Sequence, residues 1–171
     1  PPFLLHPDHV LLPHRSASRP WRAAAAGRLG GLDILVNNAS LFESADFEAI
    51  TAEDWDRVQA VNLRAPFLLT RAAAPLLRER KGVVVNIADL SGVQATWQRF
   101  VHHGVSKAGL IHLTKTTARV LAPDVRVNCI IPGTVLPPED YTEAQIEAAA
   151  HRAALERNGS PQDVADALLF L

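Results

Sequence analysis

The chain has 171 residues, of which 48% are hydrophobic, so it is long enough to bury the core of one globular domain. Its 17 basic and 18 acidic side chains are spread along the sequence and give a formal net charge of -1, which argues against a nucleic-acid-binding face and against a basic membrane patch. Cys129 is the only cysteine, and no apolar run approaches the roughly 20 residues of a membrane span. We therefore expect a cytoplasmic protein without a metal site, whose partners are small molecules or further copies of the chain.

The first 20 residues differ in composition from the rest of the sequence. Prolines recur through them and exclude a regular helix or strand: Pro1, Pro2, Pro7, Pro13 and Pro20. The same stretch contains His6, His9, His14 and Arg15, residue types that suit metal or anion binding, but their spacing is irregular. We interpret residues 1–20 as an irregular Pro/His-rich arm rather than a ligand site, and residues 21–171 as the folded domain.

From Trp21 onwards, helical patterns alternate with short apolar runs. Arg22–Leu29 is alanine-rich and predicted to be helical, and the apolar run Leu32–Val36 predicts a buried strand. Thr51 with Asp54 predicts a capped helix start, and apolar residues at helical spacing extend that helix to Leu77. Pro66 and Pro75 are placed to bend or divide it.

The second half of the sequence continues this alternation. The predicted elements are a strand at 83–87, a helix at 103–121, a strand at 125–131, a helix at 142–156 and a last helix that Ser160 caps and that reaches Leu171. Strands that alternate with helices predict an α/β fold with a parallel sheet covered on both faces. In such a sheet, ligands bind at the carboxyl ends of the strands. Small and polar residues follow all three predicted strands, at Asn37–Ser40, Asn86–Asp89 and Pro132–Thr134, so we expect a small-molecule site at this edge.

Five short motifs occur in the order and spacing of the short-chain dehydrogenase/reductase family, which the chain resembles from about Gly27 to Leu171. They are Leu32–Ala39, Val61–Leu63, Val85–Ile87, Ser106–Ala108 and Arg126–Gly133. The resemblance implies a Rossmann-like doubly wound parallel sheet, incomplete at its N-terminal and C-terminal sides. The chain would be a partial reductase domain, truncated at its N-terminus, with an open apolar edge at the first predicted strand.

Two features of the motifs resemble pteridine reductases. Phe42 follows the Asn-Asn-Ala-Ser segment, and Asp89 stands where most members of the family have a serine that binds the substrate. A carboxylate accepts two hydrogen bonds and can orient a donor-rich heterocycle. The alternative interpretation of Asp89 is a turn or helix-capping residue ahead of Ser91 and Gly92.

The resemblance implies hydride transfer between the nicotinamide of NADP or NAD and a C=O or C=N bond, with a tyrosine moving the proton. Lys107 occupies the place of the lysine that holds the nicotinamide ribose, and Asn62 that of the helix asparagine that anchors a proton-relay water. The cofactor would lie against Asn37, Ala39, Ser40, Ile87, Lys107, Pro132, Gly133 and Thr134. The long helices would pack between subunits of a homodimer or homotetramer.

The chain departs from the family at the proton donor. Four residues before Lys107, where the family has tyrosine, stands His103. Phe100 occupies the place where enoyl reductases, a related branch, have their tyrosine, and the only tyrosine, Tyr141, lies beyond the third predicted strand. His103 is either a weak substitute acid or a position that has lost catalysis, and the charge of Lys107 should favour its neutral form.

The family's glycine-rich phosphate loop has no counterpart in the sequence. Gly27, Gly30 and Gly31 precede a predicted strand instead of following one. We interpret the chain as an NAD(P)-dependent oxidoreductase domain with a compromised site. The alternative is a non-catalytic remnant or oligomer-forming protein of the same fold.

Overall fold

The computed structural model of the chain describes residues 30–95, 97–137 and 141–171. These residues form a parallel sheet of three strands in the order β1 (Ile34–Asn37), β2 (Val83–Ile87) and β3 (Arg126–Ile130). Asn37 is paired with Asn86, and Asn86 with Cys129, so the carboxyl ends of the strands meet at one edge. The predicted parallel sheet is confirmed. The predicted arm at 1–20 and the helix at 22–29 lie outside the described residues.

Five α-helices accompany the sheet. They are α1 (Ala52–Gln59), α2 (Ala65–Arg80), α3 (Val101–Leu121), α4 (Glu143–His151) and α5 (Pro161–Phe170). Thr51 and Asp54 form the predicted capping box at the start of α1, and Ser160 with Asp163 does the same for α5. The prediction that α4 continues to Glu156 is wrong. Leu155 is 77% exposed and Glu156 has a left-handed φ of 52°, so no packing supports a further helical turn there.

The long helical region after Thr51 is divided by a π-helical turn at Ala60–Arg64. In this turn the N–H of Ala65 bonds to the carbonyl of Ala60, five residues back. Pro66, which has no N–H, follows in the first turn of α2, whereas Pro75 lies inside α2 without ending it. The division is therefore a wide turn rather than a break, and it contains Asn62. Such turns are frequent at functional sites.

Apolar side chains cover both faces of the sheet. On one face, α2 and α3 pack on it through a cluster that comprises Ala73, Ala74, Leu77, Val84, Leu121, Val125 and Val127. On the other face, Val164 and Leu168 of α5 and Leu171 pack against Val83, Val85 and Ile87. Helices on both faces confirm the doubly wound arrangement.

Strand β1 is one of the two edges of the sheet within the described residues, where it pairs only with β2. Its Ile34 is 52% exposed and its Val36 is 39% exposed, so the open apolar edge expected from the sequence is present in the described part. None of the helices among the described residues has both the length and the apolar character required to cross a membrane.

Candidate active site

A cleft of about 270 Å³ lies at the carboxyl edge of the sheet. The predicted catalytic residues that line it are Asp89, His103 and Lys107, and the predicted cofactor contacts that line it are Ser40, Ile87, Pro132, Gly133 and Thr134. The structure thus brings together residues from the ends of all three strands and from α3. Within the described ranges, no group of three His, Cys, Asp or Glu side chains is placed to hold a metal ion.

Asn37 does not line the cleft, although the sequence placed it there. It is 5% exposed, and its amide donates to Oδ1 of Asn86 over 2.7 Å and to the hydroxyl of Thr70 over 3.3 Å. Asn86 in turn donates to the hydroxyl of Thr114 over 2.9 Å. These bonds connect the ends of two strands to α2 and α3. Asn37 therefore supports the cleft from beneath, Asn38 lines it instead, and Ala39 does not line it either.

Lys107 places a buried ammonium group at the cleft. The residue is 3% exposed, and its Nζ donates to the carbonyl of Ile87 over 3.0 Å. Burial lowers the pKa of Lys107 from 10.5 to about 8, while the nearby Asp89 and Cys129 act in the opposite direction. An ammonium group has three donors, and the bond to Ile87 uses one of them. Lys107 can therefore hold a ligand hydroxyl in the cleft.

His103 lies in the first turn of α3 and is 2% exposed. Its Nδ1 is 2.8 Å from the carbonyl oxygen of Leu41, and its Nε2 is 4.0 Å from Oδ1 of Asp89. Burial lowers the pKa of His103 below 6.5, and the charge of Lys107 adds to that effect against the opposing influence of Leu41 and Asp89. This direction agrees with the expectation that Lys107 favours the neutral form of His103.

Asn62 does not line the cleft but fixes the residues that do. Its Oδ1 accepts the N–H of Leu41 over 2.7 Å, and its Nδ2 donates to the Leu41 carbonyl and to the Ser106 hydroxyl, each over 3.0 Å. Ser106 donates to the carbonyl of His103 over 2.6 Å. The π-helical turn thereby joins the loop after β1 to the start of α3, and Asn62 has a positioning role here.

Asp89 caps a turn, as one of the two interpretations from the sequence has it, and it also lies in the cleft. Its Oδ1 accepts the N–H of Ser91 over 2.7 Å and so caps a short 3-10 turn, Leu90–Gly92, while the carboxylate also lines the cleft. Gly92 packs this turn closely on α3, since a Cβ there would lie 2.7 Å from the backbone of Lys107. The turn therefore fixes the position of the Asp89 carboxylate relative to Lys107.

An aromatic wall, made of Phe42, Trp97 and Phe100, was not predicted from the sequence. Phe42 stacks on Phe100 with 4.2 Å between ring centroids, and it meets the rings of His103 and Trp97 edge-on at 4.8 Å and 5.7 Å. Residues 97, 100 and 103 recur every third position, a spacing that could have indicated one shared face. Tyr141 and Arg152 also line the cleft from the segment after β3 and were likewise missed.

A parallel sheet with helices on both faces and a cleft at its carboxyl edge is typical of a Rossmann-like fold. A family model described as "Enoyl-(Acyl carrier protein) reductase" matches residues 15–171. The chain belongs to the short-chain dehydrogenase/reductase family, whose members are oxidoreductases.

Named relatives agree with this assignment. The chain is 37% identical to a 3-oxoacyl-(acyl-carrier-protein) reductase of Thermotoga maritima, over 84% of this chain and 60% of the relative. It is 34% identical to a trans-4-hydroxycyclohexanecarboxylate dehydrogenase of Sinomonas cyclohexanicum, over 88% of this chain and 58% of that protein. A crystal structure of a dehydrogenase/reductase from Sinorhizobium meliloti 1021 superimposes with a TM-score of 0.82 at 36% identity, covering 91% of this chain and 62% of that one. The chain thus spans about three fifths of the length of these relatives.

Proposed function

We propose that this chain forms the nicotinamide side of an NAD(P)-dependent oxidoreductase that interconverts an alcohol and a carbonyl group. The supporting observation is the buried ammonium of Lys107, which faces a cleft at the carboxyl ends of three parallel strands beside His103 and Asp89. The named relatives act on oxoacyl and cyclic hydroxy-acid compounds, which are carbonyl and alcohol substrates. This likeness favours a carbonyl carbon over an imine as the reacting centre.

The residues of the cleft fit one end of a dinucleotide. Pockets for drug-sized ligands are commonly about 300–1,000 Å³, and a cleft of about 270 Å³ suits a nicotinamide ring with its ribose. Lys107 would hold the ribose, and Ser40, Ile87 and the Pro132–Thr134 segment would surround the ring. A side chain at Gly133 would meet nothing within 4 Å, so the backbone there leaves open space for a ligand. The bound cofactor would supply the site that accepts or gives the hydride.

A planar, donor-rich heterocycle of the pteridine type is a second candidate substrate. The Asp89 carboxylate and the Phe42 ring line the same cleft, so a flat ligand would meet both an acceptor and an aromatic surface. The pteridine-reductase-like branch, the choice between NADP and NAD, a homodimer or homotetramer, and a cytoplasmic location stay predictions.

Isothermal titration of the chain with nicotinamide mononucleotide, NADPH and NADH tests the proposal. Nicotinamide mononucleotide contains the portion that the cleft fits, so we expect it to bind, and Lys107→Met to weaken its binding at least tenfold. Lys115→Met is the matched control, because Lys115 is an exposed lysine on the same helix. No binding of any of the three ligands, or equal binding by both variants, would contradict the proposal and favour a non-catalytic protein of the same fold.

A further inference from the structure

The hydrogen bonds around His103 determine which of its nitrogens holds the proton. Nδ1 lies 2.8 Å from the carbonyl oxygen of Leu41, which can only accept. A deprotonated Nδ1 would place its lone pair against that oxygen, so Nδ1 must be the protonated nitrogen. The Asn62 Nδ2 lies 3.4 Å from Nδ1 of His103 and could in principle donate to it. Its two hydrogens are, however, used by the shorter bonds to the Leu41 carbonyl and the Ser106 hydroxyl, each over 3.0 Å, so none is left for Nδ1.

In neutral imidazole only one nitrogen is protonated, so Nε2 of His103 is an acceptor. This atom is buried and has no hydrogen-bond partner among the described residues, although His103 lines the cleft. A buried acceptor without a partner costs free energy, and it can receive a hydrogen bond from a ligand hydroxyl. Oδ1 of Asp89, 4.0 Å away, is too distant for a hydrogen bond but close enough to stabilise a positive charge on the ring.

We infer that His103 is the proton acceptor of this site, and that the Leu41 carbonyl orients its ring so that Nε2 can take the hydroxyl proton of an alcohol during oxidation. This inference rests on the proposed function. The alcohol O–H proton would move to Nε2 while the C–O bond becomes C=O, and a bound oxidised nicotinamide would take up the C–H hydrogen as hydride with both bonding electrons. The positive charge of the resulting imidazolium is stabilised by the nearby Asp89 carboxylate, and the imidazolium then releases its proton to water.

The reverse reaction requires a protonated His103, and the structure disfavours that state. Burial lowers the pKa of His103, and the charges of Lys107 and His102 add to this effect, whereas the Leu41 carbonyl and Asp89 oppose it. His102 adjoins His103 on α3, and Tyr141 and Arg152 also line the cleft. Tyr141 is the rival proton carrier, since it is the only tyrosine in the chain. Carbonyl reduction should therefore be fastest at acidic pH and alcohol oxidation at neutral pH.

The tautomer can be measured without a cofactor. Two-bond ¹H–¹⁵N correlation spectra of the chain labelled with ¹⁵N-histidine should show His103 protonated at Nδ1 and bare at Nε2 at pH 7. Exposed His112 on the same helix provides the reference signal. Asp89→Asn should lower the pKa of His103 further, because it removes the carboxylate that lies 4.0 Å from Nε2 in the described part of the chain. A proton on Nε2 of neutral His103 would overturn the inference.

Steady-state kinetics with NAD⁺ or NADP⁺ and a secondary alcohol test the reaction itself. We expect His103→Gln, which keeps a donor for Leu41 but cannot accept a proton, to lower kcat for oxidation about 10²- to 10⁴-fold. The control His112→Gln, at an exposed position of the same helix, should keep the wild-type kcat. Loss of oxidation in Tyr141→Phe with activity kept in His103→Gln would assign the proton to Tyr141 and overturn the inference. Because the spectra need no cofactor, a wrong tautomer is distinguishable from a failure of the cleft to bind nicotinamide, which would reject the proposed function and this reaction with it.

Discussion

Replacing Lys107 with methionine removes the buried charge from the cleft while keeping a side chain of similar length. Burial lowers the pKa of Lys107 from 10.5 to about 8, which corresponds to about 3 kcal/mol of unfavourable free energy at neutral pH. The variant also loses the hydrogen bond to Ile87, and a buried carbonyl without a donor costs about 1–3 kcal/mol. We therefore expect Lys107→Met to be between equally stable and about 2 kcal/mol more stable than the wild type at pH 7, and to bind nicotinamide poorly.

The dependence on pH gives the sharper test. Because the pKa of Lys107 is lower in the folded state, the unfolded chain binds more protons between about pH 8 and pH 10.5, and the wild type gains stability as the pH rises through that window. The methionine variant lacks this gain. Between pH 7 and pH 10.5, urea unfolding followed by circular dichroism should show the free energy of unfolding of the wild type rising by about 3 kcal/mol relative to that of Lys107→Met. The difference between Lys115→Met and the wild type should not change over the same range. A difference between Lys107→Met and wild type that stays constant from pH 7 to pH 10.5 would refute the reasoning.

Asn62→Ala and Gly92→Ala test the support of the cleft, with Gly133→Ala as the control. Asn62→Ala removes the two hydrogen bonds between the Asn62 amide and the Leu41 backbone, and urea unfolding should show a loss of about 1–3 kcal/mol in the free energy of unfolding. No loss would mean that water replaces the amide. Gly92→Ala places a Cβ 2.7 Å from the backbone of Lys107 and should cost about 1–3 kcal/mol. Gly133→Ala meets nothing within 4 Å and should stay within about 0.5 kcal/mol. Equal melting temperatures for the two glycine variants would contradict the close packing of the turn on α3.

Local patterns predicted the sheet well, because each strand is short, apolar and followed by polar residues. Strand β2 was predicted and observed at Val83–Ile87, where every residue is buried. The end of α4 was wrong because an alanine-rich segment has helical propensity, but tertiary packing decides whether the helix continues. In the described part, the exposed Leu155 shows that this packing is missing there.

The sequence predicted only the part of the candidate site that depends on local patterns. Asp89, His103 and Lys107 follow from strand ends and a helical motif, which are local features of the sequence. Asn37 was misplaced because side chains alternate along an extended chain, so that a shift of one residue separates the buried Asn37 from Asn38 in the cleft. Phe42 and Tyr141 come from segments without a regular period. Only the tertiary fold brings them to the cleft.

The contact between Asn62 and Leu41 resembles a single rung of a β-ladder. The side-chain amide pairs with both the N–H and the carbonyl of Leu41, as a neighbouring strand would, although no strand lies there. The same carbonyl holds the Nδ1 proton of His103. A ligand that displaced the loop around Leu41 would therefore remove the acceptor of the Nδ1 proton, and the imidazole of His103 could then change its tautomer. The position of this loop and the location of that proton are thus coupled.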